Sequence, residues 1–183
     1  TRSLLGHSPR TRLAELSKLT THYVGHLAER CANTGGSDEW GHRIAAVRQR
    51  RLEFVESARF VAGHGIEGDH HYTDREERSG YQVLVMERET LDELNISVGD
   101  VRENVTTSGI DLSSLEVGRK LAIGEQVVLR ISKPCVPCSR MDELRPGLQA
   151  ELEGRRGMLA SVEQGGPVSV GDTLRVLEGA PLG

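Results

Sequence analysis

The chain has 183 residues, with 23 Lys and Arg against 27 Asp and Glu and a formal net charge of −4. This length fits one domain with an appendage and can bury a core without disulfide staples. No apolar stretch approaches the roughly 18–20 residues that cross a bilayer, and no secretory signal pattern opens the chain. Mild acidity and only 3% aromatic residues argue against nucleic-acid binding. We therefore expect a cytoplasmic globular protein.

The N-terminal quarter of the chain is predicted to be an α-helical extension. From Thr11 to Cys31, apolar residues recur close to helical spacing, which predicts a first helix. A second helix is predicted from Glu39 to about Arg51, with Ile44 and Val47 on one face. We expect residues 1–51 to form this extension.

Residues 52–178 are predicted to form a mainly β domain, followed by a tail over 179–183. Short β-rich runs alternate with glycine turns, and a hairpin is predicted to turn at Gly124-Glu125. Many short strands favour a barrel or sandwich over parallel β/α units. The predicted strands are Phe54–Val61, Tyr81–Met86, Val101–Thr106, Lys120–Ile123, Val127–Ser132, Met158–Val162 and Thr173–Leu177, and the predicted helices are Glu87–Leu94 and Pro146–Leu152.

Two of the three cysteines, Cys135 and Cys138, are separated by two residues. This spacing suits metal ligation, dithiol redox chemistry, or one working thiolate with a neighbour. A tetrahedral zinc site normally needs a second pair of ligands, which the sequence does not offer in an obvious pattern. A tight turn with two small buried residues is the structural alternative. Arg140 nearby favours an accessible thiolate.

A glycine-rich loop over residues 63–72 places Asp69 beside His70 and His71. An acid next to two histidines can orient a ligand or move a proton. A surface turn explains the glycines equally well.

Two further motifs contain arginine. On the predicted strand Val101–Thr106, Arg102 and Asn104 point to the same face and could bind an anionic polar ligand. An exposed polar face is the alternative. Arg155 and Arg156 lie between glycines and predict either a phosphate site or a turn between helix and strand.

The order of these motifs is more specific than any one of them. In chain order they are Gly65-Ile66-Glu67-Gly68-Asp69-His70-His71, Tyr81-Gln82-Val83-Leu84, Arg102-Glu103-Asn104-Val105, Gly109-Ile110-Asp111-Leu112, Gly118-Arg119-Lys120-Leu121-Ala122-Ile123-Gly124, Cys135-Val136-Pro137-Cys138, Gly154-Arg155-Arg156-Gly157-Met158 and Val170-Gly171-Asp172. This succession resembles the MOSC domain over roughly residues 52–178. The resemblance implies a mainly β fold, a distorted MOSC-type β-barrel with a few packed helices.

The resemblance also implies roles for particular residues. Cys138 would ligate molybdenum, with Cys135 a neighbour or a partner in a reversible disulfide. The implied catalytic residues are Cys138, Asp69 and His71, and the implied cofactor-binding residues are Arg102, Asn104, Gln82 and Arg156. Relatives usually have arginine where this chain has His70, so a permanent cation is missing there.

Three functions follow as hypotheses. The first is a reductase that binds the molybdenum cofactor (molybdopterin) and reduces N-hydroxylated or related small molecules with an external electron-transfer protein. The second is a sulfur carrier without that cofactor, which receives a persulfide on Cys138 from a cysteine desulfurase, an enzyme of pyridoxal phosphate-linked sulfur transfer. The third is a non-catalytic binder of a small anionic ligand. Either a monomer or a homodimer is expected.

Overall fold

The computed structural model describes residues 43–50, 53–73 and 80–177. This part of the chain is mainly β, with three short α-helices. The strands are β1 (Arg43–Arg50), β2 (Glu53–Val55), β3 (Ser57–Val61), β4 (Gly65–Ile66), β5 (Val83–Glu87), β6 (Val105–Ser108), β7 (Lys120–Ile123), β8 (Val127–Pro134), β9 (Met158–Gln164), β10 (Gly166–Ser169) and β11 (Leu174–Leu177). The helices are α1 (Arg88–Glu93), α2 (Arg140–Leu144) and α3 (Leu148–Glu151), and a 3-10 turn spans Leu112–Ser114.

The strands form two sheets. The larger has the order β11-β7-β8-β9-β5-β6-β1-β2, and the smaller has the order β10-β3-β4. Neighbouring strands are antiparallel except for β5 and β6, which are parallel and joined through α1. Within the described residues the end strands β11 and β2 do not pair with each other, so the predicted barrel is not closed.

The predicted helix over residues 39–51 is wrong for residues 43–50, which form β1 between β2 and β6. The register of β1 against β6 shifts between Ile44 and Ala46. A bulge of this kind inserts one residue, so Ile44 and Val47, three positions apart, both reach the larger core. Ala46 packs in the smaller core instead. The bulge therefore gives this strand two core-facing residues three positions apart, the same spacing that predicted a helix. The rest of the predicted extension and the tail over 179–183 lie outside the described residues.

Other predicted elements agree in part with the structure. The β7–β8 hairpin at Gly124 is confirmed, as is α1 with its buried Leu91. The predicted strand Val101–Thr106 is wrong before Val105, because residues 101–104 form turns that lead into β6. The helix predicted over Pro146–Leu152 is reduced to α3. Helix α2 and the short strands β4 and β10 were not predicted.

Hydrophobic side chains form two clusters. The larger contains Phe60, Val83, Val85 and Leu129, and the smaller joins the three helices to the sheet through residues such as Met86. Successive residues of a strand point to opposite faces. Leu84 of β5 therefore points away from the larger core, on the same face as Met86. Leu84 pairs with Leu159 of β9, and both residues line the pocket described below.

Candidate functional site

A pocket of about 630 Å³ gathers most of the predicted site residues. Its wall consists of His71, Tyr81, Leu84, Arg102, Asn104, Cys135, Cys138, Arg140, Arg156 and Leu159. Apart from His71, which lies in the loop after β4, these residues come from segments at or beside β8, β9, β5 and β6, which are consecutive neighbours in the sheet. The sheet order therefore brings together residues up to 78 positions apart, between Tyr81 and Leu159.

The two cysteines differ in their surroundings. Both are free thiols, but Cys135 is buried and Cys138 is exposed. Burial raises the pKa of the Cys135 thiol, and this effect outweighs the opposing positive charges of Arg156 and Lys133. The structure therefore presents Cys138 as the sulfur that a ligand or reagent reaches directly. Cys135 lies beside it as a protonated thiol at neutral pH.

Arg156 links the cysteine loop to the loop before β6. Its Nη1 lies 3.3 Å from the Cys135 sulfur and donates to the carbonyl oxygen of Val136 at 3.1 Å. Its Nη2 donates to the carbonyl oxygen of Val101 at 3.1 Å. The Nε atom is buried and has no hydrogen-bond partner. The contacts fix the plane of the guanidinium group in the pocket wall.

Arg102 and Asn104 both reach the pocket, although not by strand alternation. Arg102 has φ +66°, a left-handed conformation that is uncommon for residues other than glycine. The Asn104 Oδ1 atom accepts a hydrogen bond from the backbone of Leu84 at 3.0 Å. Its Nδ2 atom is buried without a hydrogen-bond partner. The amide is therefore anchored at its oxygen, and its nitrogen remains available to a ligand acceptor.

His71 is oriented by Asp69, which lies outside the pocket wall. The Asp69 Oδ1 atom accepts from the backbone N–H of His71 at 2.8 Å and lies 3.2 Å from its Nδ1. Burial alone would raise the pKa of Asp69, but hydrogen bonds from His71 and the nearby histidine charges lower it overall. With Nδ1–H directed at a carboxylate, Nε2 is left to bind a ligand or exchange a proton.

Gln82 does not reach the pocket. Its side chain is buried, its Oε1 accepts from the backbone of Val162 at 2.8 Å, and its Nε2 donates to the carbonyl oxygen of Gly63. Both ends of the amide join backbone segments, so the contacts of Gln82 are structural. Its neighbour Tyr81 is in the pocket wall instead.

The pocket wall contains residues that sequence reasoning did not assign to a site. Tyr81 and Leu84 belong to the motif Tyr81-Gln82-Val83-Leu84, and Leu159 directly follows the motif that ends at Met158, but none of the three was assigned a role. Arg140 was noted only for its closeness to the cysteines. With Arg102 and Arg156, it makes three guanidinium groups in a wall that contains no carboxylate among the described residues. The pocket therefore favours an anion.

These features define the protein as a mainly β protein with an accessible thiol in a cationic pocket. The family model of the MOSC domain matches residues 67–175, and the chain belongs to this family. The resemblance predicted from the motif order is thus confirmed. No curated protein matches the chain at a significant level.

Solved structures show the same fold. YuaD from Bacillus subtilis is 21% identical, with a TM-score of 0.59 over 75% of this chain and 97% of that one. YiiM from Escherichia coli is 20% identical, with a TM-score of 0.60 over 75% of this chain and 71% of that one. YiiM from Geobacillus stearothermophilus is 21% identical, with a TM-score of 0.50 over 55% and 56%. In the described ranges, no helix has the length and apolar character needed to cross a membrane.

Proposed function

We propose that this protein binds the molybdenum cofactor in the pocket through Cys138 and reduces N-hydroxylated or related small molecules, using electrons from a separate electron-transfer protein. The observation that carries this proposal is the meeting of an exposed thiol and three arginines in one pocket wall. Membership of the MOSC family supports the choice of cofactor.

The residues present fit that cofactor chemically. Thiolate is a soft ligand that suits a metal already bound to sulfur, an extension of the general softness rule. Planar guanidinium groups suit the cofactor's phosphate. A buried amide donor without a partner costs about 1–3 kcal/mol, and a pterin acceptor at Asn104 Nδ2 would offset that cost. The pocket volume falls in the range of about 300–1,000 Å³ common for small-molecule sites.

The chain's own residues would have separate roles in this reaction. When bound, the cofactor supplies two-electron redox chemistry. Cys138 would hold the metal, while Arg102, Asn104 and Arg156 would hold the organic part. Reduction of an N–OH group to N–H takes up two electrons and two protons and releases water. His71 would give one proton at Nε2 to the leaving oxygen, and Asp69, 3.2 Å from its Nδ1, would stabilise the protonated imidazole.

Metal content tests the proposal. The protein would be made in a host that synthesises the cofactor, and molybdenum and pterin would be measured per chain. We expect close to one molybdenum per chain in the wild type and almost none in Cys138→Ala. Cys135→Ala is the matched control, because it removes the buried thiol and leaves the exposed one. The wild-type protein should reduce an N-hydroxylated substrate with a reduced viologen dye as donor.

Absence of molybdenum from wild-type protein made in such a host would contradict the proposal. So would equal molybdenum in wild type and Cys138→Ala. The exposure of Cys138 supports a second candidate for that case, a sulfur carrier. Its thiolate would attack the outer sulfur of a desulfurase persulfide, forming one S–S bond while the donor cysteine leaves as thiolate. Mass spectrometry after incubation with a cysteine desulfurase would then show one added sulfur atom on Cys138.

A further inference from the structure

We propose that Asp69, His70 and His71 form a binding site for one divalent transition-metal cation, with zinc as the best match. We call these three residues the Asp-His-His cluster. The site lies beside the pocket and is separate from the thiol of Cys138. It does not depend on the cofactor proposed above.

The geometry of the cluster matches a metal site. One ligand atom from each residue can be chosen so that all three lie within 4.8 Å of one another. Asp69 Oδ2 lies 3.4 Å from the Nδ1 of His70, and Asp69 Oδ1 lies 3.2 Å from the Nδ1 of His71. Two ligand atoms bound about 2.0–2.1 Å from a tetrahedral zinc ion are about 3.3–3.4 Å apart. Both observed separations match this spacing. Because they run to different oxygens, one ion would bind both rings with the carboxylate contributing Oδ1 and Oδ2 together.

The carboxylate provides a second and independent observation. The Asp69 side chain is fully buried, and its Oδ2 atom has no hydrogen-bond partner. A buried, ionised oxygen without a donor is costly, whereas buried charges that are paired or bound to a metal are tolerated. Oδ2 is also the oxygen that faces His70. A cation between them would satisfy this atom.

The histidines leave a path for the cation. Their rings have centroids 3.7 Å apart and an interplanar angle of 43°. The side chains of His70 and His71 are 48% and 38% exposed, so ring rotation can close the site and water can fill its remaining positions. Two imidazoles and one carboxylate suit zinc and its neighbours in the first transition row, whereas calcium and magnesium prefer oxygen ligands alone.

Metal binding would change the role of His71, which also lines the pocket. With a cation on Nδ1, the ring proton must sit on Nε2, so His71 would present an N–H donor to the pocket. The cation would also add positive charge at the pocket edge. Occupancy of the Asp-His-His cluster would thus strengthen the binding of anions.

The test uses the untagged full-length chain made in a host without the molybdenum cofactor. The three cysteines, Cys31, Cys135 and Cys138, are all replaced by Ser, so that thiols cannot bind the probe. Zinc binding is measured by isothermal titration calorimetry, and cobalt by its visible absorption. We expect one zinc per chain with an affinity lost by at least about tenfold in His70→Gln, the low end for disturbing a metal site. His64→Gln, in the same loop but outside the cluster, is the matched control and should bind as before.

Three results would overturn the proposal. They are no stoichiometric zinc binding by the protein without cysteines, unchanged affinity in His70→Gln, and an equal loss in His64→Gln. His70 is largely exposed, so its replacement should not unfold the chain. Asp69→Asn, checked for folding by circular dichroism, gives a second test, because it removes the charge while keeping the shape. Molybdenum content plays no part in any of these measurements, so failure here is distinct from failure of the proposed reductase.

Discussion

Gly157 and Gly154 offer a matched pair of substitutions to alanine. Both are in the left-handed region, with φ +70° and +71°. A Cβ added at Gly157 would lie 2.1 Å from the carbonyl oxygen of Val85 and 3.0 Å from the Cα of Met86. At Gly154 no atom lies within 4 Å of the added Cβ. The two changes therefore share a backbone penalty but differ in available space.

The shared penalty is about 1–2 kcal/mol for a left-handed residue with a side chain. It is reduced by about 0.4–1 kcal/mol because alanine also restricts the unfolded chain. Gly154→Ala should therefore lower the free energy of unfolding by about 1 kcal/mol. At Gly157 the clash is with the backbone of β5, which no rotamer change relieves. Gly157→Ala should lower the free energy of unfolding by more than about 4 kcal/mol, a loss that is exceptional for a single substitution and arises from mechanisms such as overpacking and backbone strain.

Urea unfolding followed by circular dichroism would measure both variants. In a thermal melt, each kcal/mol corresponds to about 2–4 °C for a chain of this size. The Cys135 N–H donates to the carbonyl oxygen of Gly157 at 3.0 Å. Displacement of the β9 start should therefore also expose the Cys135 thiol. The reasoning is refuted if the two variants lose the same free energy of unfolding, because only close contact with β5 separates them.

Two further predictions concern the thiols and the buried carboxylate. At neutral pH, iodoacetamide should label Cys138 well before Cys135, because burial both covers Cys135 and raises its pKa. Equal labelling rates, read by peptide mass spectrometry, would argue against this. Asp69 has a lowered pKa in the fold, so its ionised form stabilises the protein above its ordinary value of 3.8, and that stability is lost as pH falls through the lowered value. The loss of unfolding free energy in Asp69→Asn should therefore shrink as the pH falls through that lowered value. A difference independent of pH down to the acid unfolding of the protein would contradict this.

The fold could be predicted from the sequence where the signal is local. The β7–β8 hairpin has its turn and both strands within a short segment, and Gly124 marks the turn. Strand β1 could not be recognised, because Ile44 and Val47 share a face only through a bulge against β6. The bulge depends on a partner about 60 residues away in the chain. Non-local pairing also determines the strand order of the larger sheet, which does not close into the predicted barrel within residues 43–50, 53–73 and 80–177.

Several residues of the candidate site could be predicted from the sequence, but the contacts of their side chains could not. Motif order brought Cys138, Arg102 and Asn104 into one hypothesis, and the pocket contains all three. Gln82 belonged to the same hypothesis and lies elsewhere. Asn104 and Gln82 are both buried amides, and the sequence does not distinguish them. The difference depends on which backbone groups the sheet leaves without ladder partners: Gln82 satisfies two of them, whereas Asn104 satisfies one and keeps its nitrogen for the pocket.

Three features of the pocket wall each lower the stability of the fold. Arg102 adopts a left-handed conformation that disfavours side chains by about 1–2 kcal/mol. Asn104 Nδ2 and Arg156 Nε are buried without hydrogen-bond partners, each at a cost of about 1–3 kcal/mol. Selection for stability alone would favour replacing these residues, since the free energy of unfolding of a typical protein is only about 5–15 kcal/mol. A ligand that accepts from Asn104 and Arg156 would offset two of these costs, and it would explain why Arg102 is held toward the same space.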